Sequence, residues 1–544
     1  MVLQSISKKQ KIILLAVFLF CFFVQVIPVI RSGLHYSFGV GFWGPNGHDG
    51  VWHLSLINHI SNPTKIKMPI FAGEYLKNYH PFFDILIAFL SKITFINSSL
   101  WLFQIFPIIT TILYLYFSFL LGQKITKKFN GGIILMLLNS ISNSFGWVVS
   151  FIKDGSFGGE SLFWAMQSPS NQLNPPFMLS ILLILVFIYL LTFKQPSKTA
   201  IFFLLVFLPI IKVYSAVPAF IIFFFYIFKN RRYLPTFITT LFVSGLLFLI
   251  YNRGSAGLIE FKPFWFINSL FDSIDRLYFP KLSAFRNAYG SIFLTLPKLI
   301  IYYTFGILTF ILGNFSWRIL ASKEIIKNKT YFLAISICCL IPLFFIQKGT
   351  SWNTIQFLYY ALFLSNIFLT KFLVNNQKYI FWVVLSYLIP LISFLPNYLG
   401  KTPPAAIPSK EIEALNFLKS QPKGTVLTYP YDKYLKKSFP KTPLPLYAYE
   451  TTSYVAAYSG QQTYLEDEMN LQNSGYNIWP ERRQASLDFF SQQNEFADRG
   501  FLVNNQISYL YLPKIYKDKI DFNDNMYLKI IYENDEVVIY QVQR

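Results

Sequence analysis

The stretch GHDGVWHLSLINHI, residues 47–60, gathers the groups of this chain best suited to moving a proton or holding a cation. All five histidines, His35, His48, His53, His59 and His80, fall in one short window around it. Val51, Leu54 and Ile57 share a stripe, which predicts an amphipathic helix over 49–60 lying at a membrane interface, with Gly47 and Gly50 breaking its continuation. On such a helix Asp49 and His53, four residues apart, share a face. That spacing permits two uses. Asp49 can accept a proton from an attacking hydroxyl, as a general base in a partly dry pocket. Alternatively, Asp49 and His53 are two ligands of a divalent metal ion, completed by Glu74 or His80. Beside both stands a purely structural reading, in which these groups sit in interfacial water. No two histidines show a standard zinc spacing with a third ligand, so metal dependence stays open.

The elements that must position these residues are greasy. Of the 544 residues, 54% are hydrophobic and only 13% charged, whereas soluble domains carry about 25% charge. Apolar runs at 12–30, 99–121, 131–152, 233–251 and 291–313 match the roughly 20 residues that cross a bilayer as a helix. The net charge of +21 invites a nucleic-acid reading, but its distribution excludes one. Residues 400–544 hold 16 Lys+Arg and 17 Asp+Glu, leaving 31 basic and 9 acidic residues for 1–399. The surplus therefore lies in loops beside apolar spans, as the positive-inside bias predicts.

Basic runs at 8–11, 124–128, 194–198, 229–232, 318–329 and 371–378 are read as cytoplasmic. Spans then fall at about 12–30, 99–122, 131–152, 176–193, 199–211, 214–228, 233–251, 291–313, 330–346, 354–374 and 379–398. This predicts a mainly α, polytopic transmembrane bundle of about eleven crossings in the cell membrane, with its N-terminus cytoplasmic. Residues 82–95 are read as a helix at or partly in the membrane. The first span is too long for a signal-peptide core and lacks an A-x-A-like cleavage site, so an uncleaved anchor is expected. The three cysteines, Cys21, Cys338 and Cys339, all fall in spans and supply no disulfide framework.

Three long segments, 31–98, 153–175 and 252–290, then face outward and hold every acid before 400 except Glu324. At the Pro-rich LGKTPPAAIPS the chain changes character. Residues 400–544 read as a soluble, extracytoplasmic α/β domain. SKEIEALNFLKS is a helix capped by Ser409, GTVLTYPY and ISYLYLP are strands, and YLKIIYENDEVVIYQV is a hairpin. No phosphate loop or Ser-His-Asp order occurs there, so a lid or scaffold is expected. Residues 1–399 would be the catalytic module, with the first outward loop at about 31–98.

An Asp just after the first span, an aromatic and His-bearing helix, and then NYHPFFDILIAFLSKIT resemble the GT-C superfamily of membrane glycosyltransferases. These include lipid-phosphate-sugar-dependent protein mannosyltransferases and aminoarabinose transferases. The resemblance places the catalytic acid at Asp49, with His48 where many relatives carry a second acid, and aligns YHPFFD (79–84) with a His/Pro-Pro segment. LPIIKVY, around Lys212, is similar to a Lys-bearing segment of the same superfamily. The apolar stretch 199–228 lies between two basic clusters, so it reads as two short, broken helices whose turn carries Lys212 to the outer half of the membrane. A lysine there is a functional-site hypothesis by default, and a lipid phosphate is its natural partner. The resemblance implies a polyprenyl-phosphate-linked sugar donor, a lipid, glycan or protein acceptor, and inversion. Lys212, His53, His80, Glu74 and Lys348 are the expected substrate-binding residues, and the resemblance offers Asp154 and Glu160 of the second loop as a weaker acidic match. Two other classes remain open: a transporter or flippase of lipid-linked sugars, and a non-catalytic scaffold.

Overall fold

A computed structural model describes residues 7–252, 258–289, 296–492, 495–519 and 527–543. The expected loop 252–290 and the start of the expected span 291–313 therefore lie partly outside the described residues. The chain forms two compact units. One takes Met1–Pro28, Pro107–Ile250 and Ser255–Leu399; the other joins Val29–Phe106 and Tyr251–Gly254 to Gly400–Arg544. The first loop thus groups with the tail, and Leu399–Gly400 is one of the points at which the chain passes from one unit to the other.

The first unit is helical. Among the described residues, six helices of the chain are long and apolar enough to cross a membrane: Lys8–Ile30, Ser98–Thr126, Arg231–Tyr251, Leu296–Lys327, Ser351–Asn375 and Gln377–Leu399. The count becomes seven if Phe129–Ile141 and Gly146–Asp154, bent by 48°, are one span. Pro175–Leu191, Lys198–Ile211, Val213–Lys229 and Lys329–Phe344 are apolar but shorter. Every expected span has a helix at its position, yet the eleven crossings do not follow from length and composition.

The bend interrupts what hydropathy reads as one span, 131–152. Its backbone is satisfied from outside: Phe145 N donates to Gly313 O at 2.8 Å and Ser168 N to Ser142 O at 3.2 Å. Irregular backbone is tolerated in such a bundle when protein supplies its partners. Arg318, expected in a cytoplasmic loop, is instead buried at 1% exposure. Its guanidinium donates to Asn366 Oδ1 at 2.8 Å and Gln167 Oε1 at 3.2 Å. Asn366 continues the chain to Asn139 Oδ1, and Asn139 to Ser118 Oγ. Truncating the arginine would strand several buried acceptors, each at a cost of about 1–3 kcal/mol.

The second unit holds two sheets. Its smaller sheet runs His35–Tyr36, Gly39–Phe42, Ala405–Ile407, Leu444–Pro445, so a strand of the first loop pairs antiparallel with one from the tail, Val40 opposite Ile407. Gly39 is required there: its φ is +114°, and a Cβ would stand 2.0 Å from Ile407 O. The larger sheet orders its strands Leu528–Glu533, Val537–Val542, Ile507–Pro513, Thr425–Thr428, Gln462–Thr463. The expected strands and hairpin are all present. The helix Ser409–Ser420 starts one residue early for the expected cap, with Pro408 at the N-cap and no side-chain bond.

The His-bearing helix, Asp49–His59, departs from expectation. Eight consecutive residues, Gly50 to Ile57, are buried, so it is a core helix and not an interfacial one. Trp52 and Leu56 enter one apolar cluster with Phe71, Leu427, Leu510 and Val538, each such side chain contributing about 1.5–3 kcal/mol. Gly50 does not end the helix. It sits in the first turn because an added Cβ would lie 2.6 Å from the Phe103 ring.

Candidate active site

His48 stands between the 3-10 turn Gly44–Gly47 and the helix Asp49–His59, its N–H donating to Pro45 O at 3.0 Å. Its ring is held from both sides. Nδ1 lies 2.9 Å from Asp49 Oδ1 and Nε2 lies 3.2 Å from Asp467 Oδ1. Two carboxylates facing both ring nitrogens require both to carry hydrogen, which is the imidazolium form. Burial opposes that charge, but the Asp467 carboxylate, then the hydrogen bonds to Asp467 and Asp49, outweigh it and hold His48 well above the ordinary imidazole range.

Asp467 owes its position to local geometry. Its φ is 47°, in the left-handed region that Asp enters more readily than most residues. From there it caps the helix Glu468–Asn473, accepting from Asn470 N at 3.2 Å and Asn470 Nδ2 at 2.8 Å. The Asp467 side chain is fully buried, whereas that of Asp49 is 57% exposed. The arrangement therefore anchors one carboxylate and presents the other. Glu450 lies in the same field: burial raises its carboxyl, His48 pulls it down, and Asp49 and Asp467 push it up.

This geometry sets a pH dependence. A group whose folded-state pKa is raised contributes stability that is fully present below its unfolded value, about 6.5 for His, and is lost as pH rises through the folded value. The Tm difference between the unaltered protein and His48→Gln is expected to be largest at pH 5.5–6 and to shrink steadily above pH 7. Thermal unfolding across pH checks it. A difference constant from pH 5.5 to 9.5 would mean that His48 is neutral in the fold.

Asp49 and His53, which the spacing offers as two ligands of one metal ion, take different side-chain partners in the structure. His53 is buried at 7% exposure, and its Nδ1 lies 2.7 Å from Oδ1 of the fully buried Asp84. Asp84 belongs to the first turn of Phe82–Thr94, which Pro81 caps. The YHPFFD segment thus clamps the core helix through His53, while Phe83 meets the imidazole edge-on at 5.3 Å. The remaining metal candidates diverge. His80 stacks on Tyr79 at 4.8 Å, and Glu74 lies in the field of Tyr476 and Arg482: burial raises the phenol and lowers the guanidinium, and the Glu74 carboxylate pushes both up. Among the described residues no three His, Cys, Asp or Glu side chains converge as a cation site.

His59 donates from Nδ1 to Ser55 O at 2.7 Å, and burial lowers its pKa. His35 lies in an edge strand. Of the substrate-binding candidates, Lys212 and Lys348 belong to the first unit. Lys212 occupies the break between Leu208–Ile211 and Val213–Lys229, with an extended backbone at φ −162° and ψ 103°. Its side chain is buried to 5% exposure, and its ammonium donates to the neutral Asn174 Oδ1 at 3.3 Å. Lys348 is exposed on the segment after Phe345–Gln347. Glu160 is half-buried: its oxygens accept from Gln167 N and Ser170 Oγ, and the desolvation of its carboxyl pushes it up to about 7. Asp154 turns back on its own loop, accepting from Ser156 N. Asp467 and Glu450 had no local signal in sequence.

No family model matches this chain, and no curated protein matches it. Solved structures do. The archaeal oligosaccharyltransferase AglB from Archaeoglobus fulgidus, in complex with an inhibitory peptide and a dolichol-phosphate, is similar at TM-score 0.48 and 12% identity, over 94% of this chain and 70% of that one. ArnT from Cupriavidus metallidurans, bound to undecaprenyl phosphate, is similar at TM-score 0.37 and 10% identity, over 98% of both chains. Both are GT-C glycosyltransferases.

Proposed function

We propose that the protein is a membrane glycosyltransferase that moves a sugar from a polyprenyl-phosphate donor to an acceptor hydroxyl on the extracytoplasmic face, with inversion. The observation that carries the reading is the Asp49 carboxylate, exposed yet fixed by His48, which the buried Asp467 fixes in turn. A general base must be reachable by substrate and held in one orientation, and this carboxylate is both. In this reading Asp49 takes the proton of the acceptor hydroxyl as its oxygen attacks the anomeric carbon. The bond from that carbon to the phosphate oxygen breaks, and polyprenyl phosphate leaves with the electron pair. In the same reading Lys212 and Lys348 are the cations that offset the charge developing on the leaving group. His53 acts by holding the helix through Asp84, and no step is routed through a metal ion. His80 and Glu74, of the same loop, are assigned to substrate binding.

The topology that goes with this chemistry has about eleven crossings, with the shorter apolar helices supported by their neighbours, and places both the Asp49 loop and the tail outside the cytoplasm. A reporter active only in the cytoplasm, fused after Arg544, is expected to stay silent; strong activity would overturn that sidedness. For the reaction itself, purified protein in vesicles receives polyprenyl-phosphate sugar labelled in the sugar, with an extract of cell-envelope lipids and glycans as acceptor. Label is expected to leave the donor lipid for a second molecule. Label that changes leaflet while remaining on its lipid would instead make the protein a flippase.

A further inference from the structure

A cleft in the second unit, built entirely from the tail, is lined by the half-buried Tyr429, Tyr431 and Tyr447, with Tyr454, Tyr511 and Tyr516 buried behind them. Tyr429 stacks on Tyr516 at 4.1 Å and Tyr447 meets Tyr516 at 6.2 Å, so the two half-buried rings are backed by a buried one. Its other lining is carboxylates and hydroxyls, including Glu450, Glu466, Asp467, Glu468 and Thr452, and it contains no Lys, Arg or His. An anionic ligand has no counter-charge there. A purely apolar one would leave the polar lining without partners.

The carboxylates are for the most part already engaged. Asp467 faces His48, Glu468 pairs with Arg483, and Glu466 accepts from the backbone N–H of Val455 and Ala456. Their charge is therefore not held in reserve for an ammonium ion. Thr452 supplies a second, independent pointer. It is 7% exposed, lines the cleft, and its buried hydroxyl has no hydrogen-bond partner within the protein. A buried hydroxyl left unsatisfied is costly, which a ligand that donates or accepts there would relieve. Flat aromatic faces beside fixed acceptors and a waiting hydroxyl suit a ring with apolar C–H faces and hydroxyl edges.

We infer that this tyrosine-walled cleft binds a sugar ring, and that the acceptor is a glycan which the tail grips by one residue. The word acceptor rests on the transferase reading above; the binding of a sugar does not. His48 ties the two places together, since the Asp467 it contacts lines the cleft and the Asp49 it contacts is the proposed base.

The test uses the full chain in detergent and needs neither donor lipid nor turnover, so its failure and that of a transfer assay are separate results. The probes are the methyl glycosides of glucose, mannose, galactose and N-acetylglucosamine, read by saturation-transfer NMR and titration, with butylammonium as a cationic control. At least one glycoside is expected to bind saturably and to resist competition by butylammonium. Thr452→Val, which keeps the shape and removes the hydroxyl, and Tyr431→Ala, at the half-buried rim, are each expected to weaken it at least tenfold. Thermal unfolding of both variants verifies that they remain folded. Saturable binding of none of the four glycosides, binding unchanged in both folded variants, or displacement by butylammonium would overturn the inference.

Discussion

Asp49→Asn is expected to lower sugar transfer by about 10²–10⁴-fold, the usual contribution of a general base, while the protein still inserts and binds donor lipid. The substitution keeps the shape and a hydrogen-bonding oxygen toward His48, so the loss is of basicity and not of architecture. His53→Ala separates the two chemistries that the spacing of Asp49 and His53 permits. With His53 bonded to Asp84, its loss is expected to lower Tm, because it leaves a buried carboxylate without its imidazole. The transfer per folded molecule should change little, and neither chelators nor added divalent ions should alter it. An Asp49→Asn protein that transfers sugar at near-normal rate would sink the mechanism. Rescue of His53→Ala by divalent ions would restore the metal reading.

Lys212→Met is expected to cost about 10²–10³-fold in kcat, the scale seen when one donor to a developing negative charge is removed. Methionine keeps the length and apolar stem, so the two flanking helices retain their packing. The Lys212 side chain is buried and its ammonium donates to Asn174 Oδ1, and the reading places a phosphate oxygen of the donor lipid against it. Lys212→Arg should recover part of the rate, because it restores a cation with altered geometry. Turnover measured at saturating donor distinguishes this from mere loss of lipid affinity. A Lys212→Met protein with unaltered kcat and KM for the donor lipid would remove the lysine from the reaction.

Much of the architecture is legible without coordinates because its signals are local. Apolar runs, basic loop ends and alternating strands are properties of ten to twenty consecutive residues, and the helices and tail strands fall where those patterns put them. The break at Lys212 was legible for the same reason: the expected pair of short helices between two basic clusters meets at that residue. Crossing number was not, because short apolar helices cross only where neighbours satisfy their ends, and hydropathy does not register neighbours.

The site shows the same division more sharply. Sequence alone determined that Asp49 and His48 stand together after the first span, and that a lysine interrupts an apolar segment. It set Asp49 and His53 on one face, yet tertiary structure gave them different carboxylate partners, Asp84 for His53 and Asp467 for His48. The second pairing joins residues 419 positions apart, and no spacing rule reaches that far. Burial of the Asp49–His59 helix was likewise decided only when Leu427, Leu510 and Val538 of the tail closed over Trp52 and Leu56. The physical reason is the same in each case. Periodicity records which way a side chain points along its own element, whereas charge state and exposure are set by whatever the rest of the chain brings to meet it.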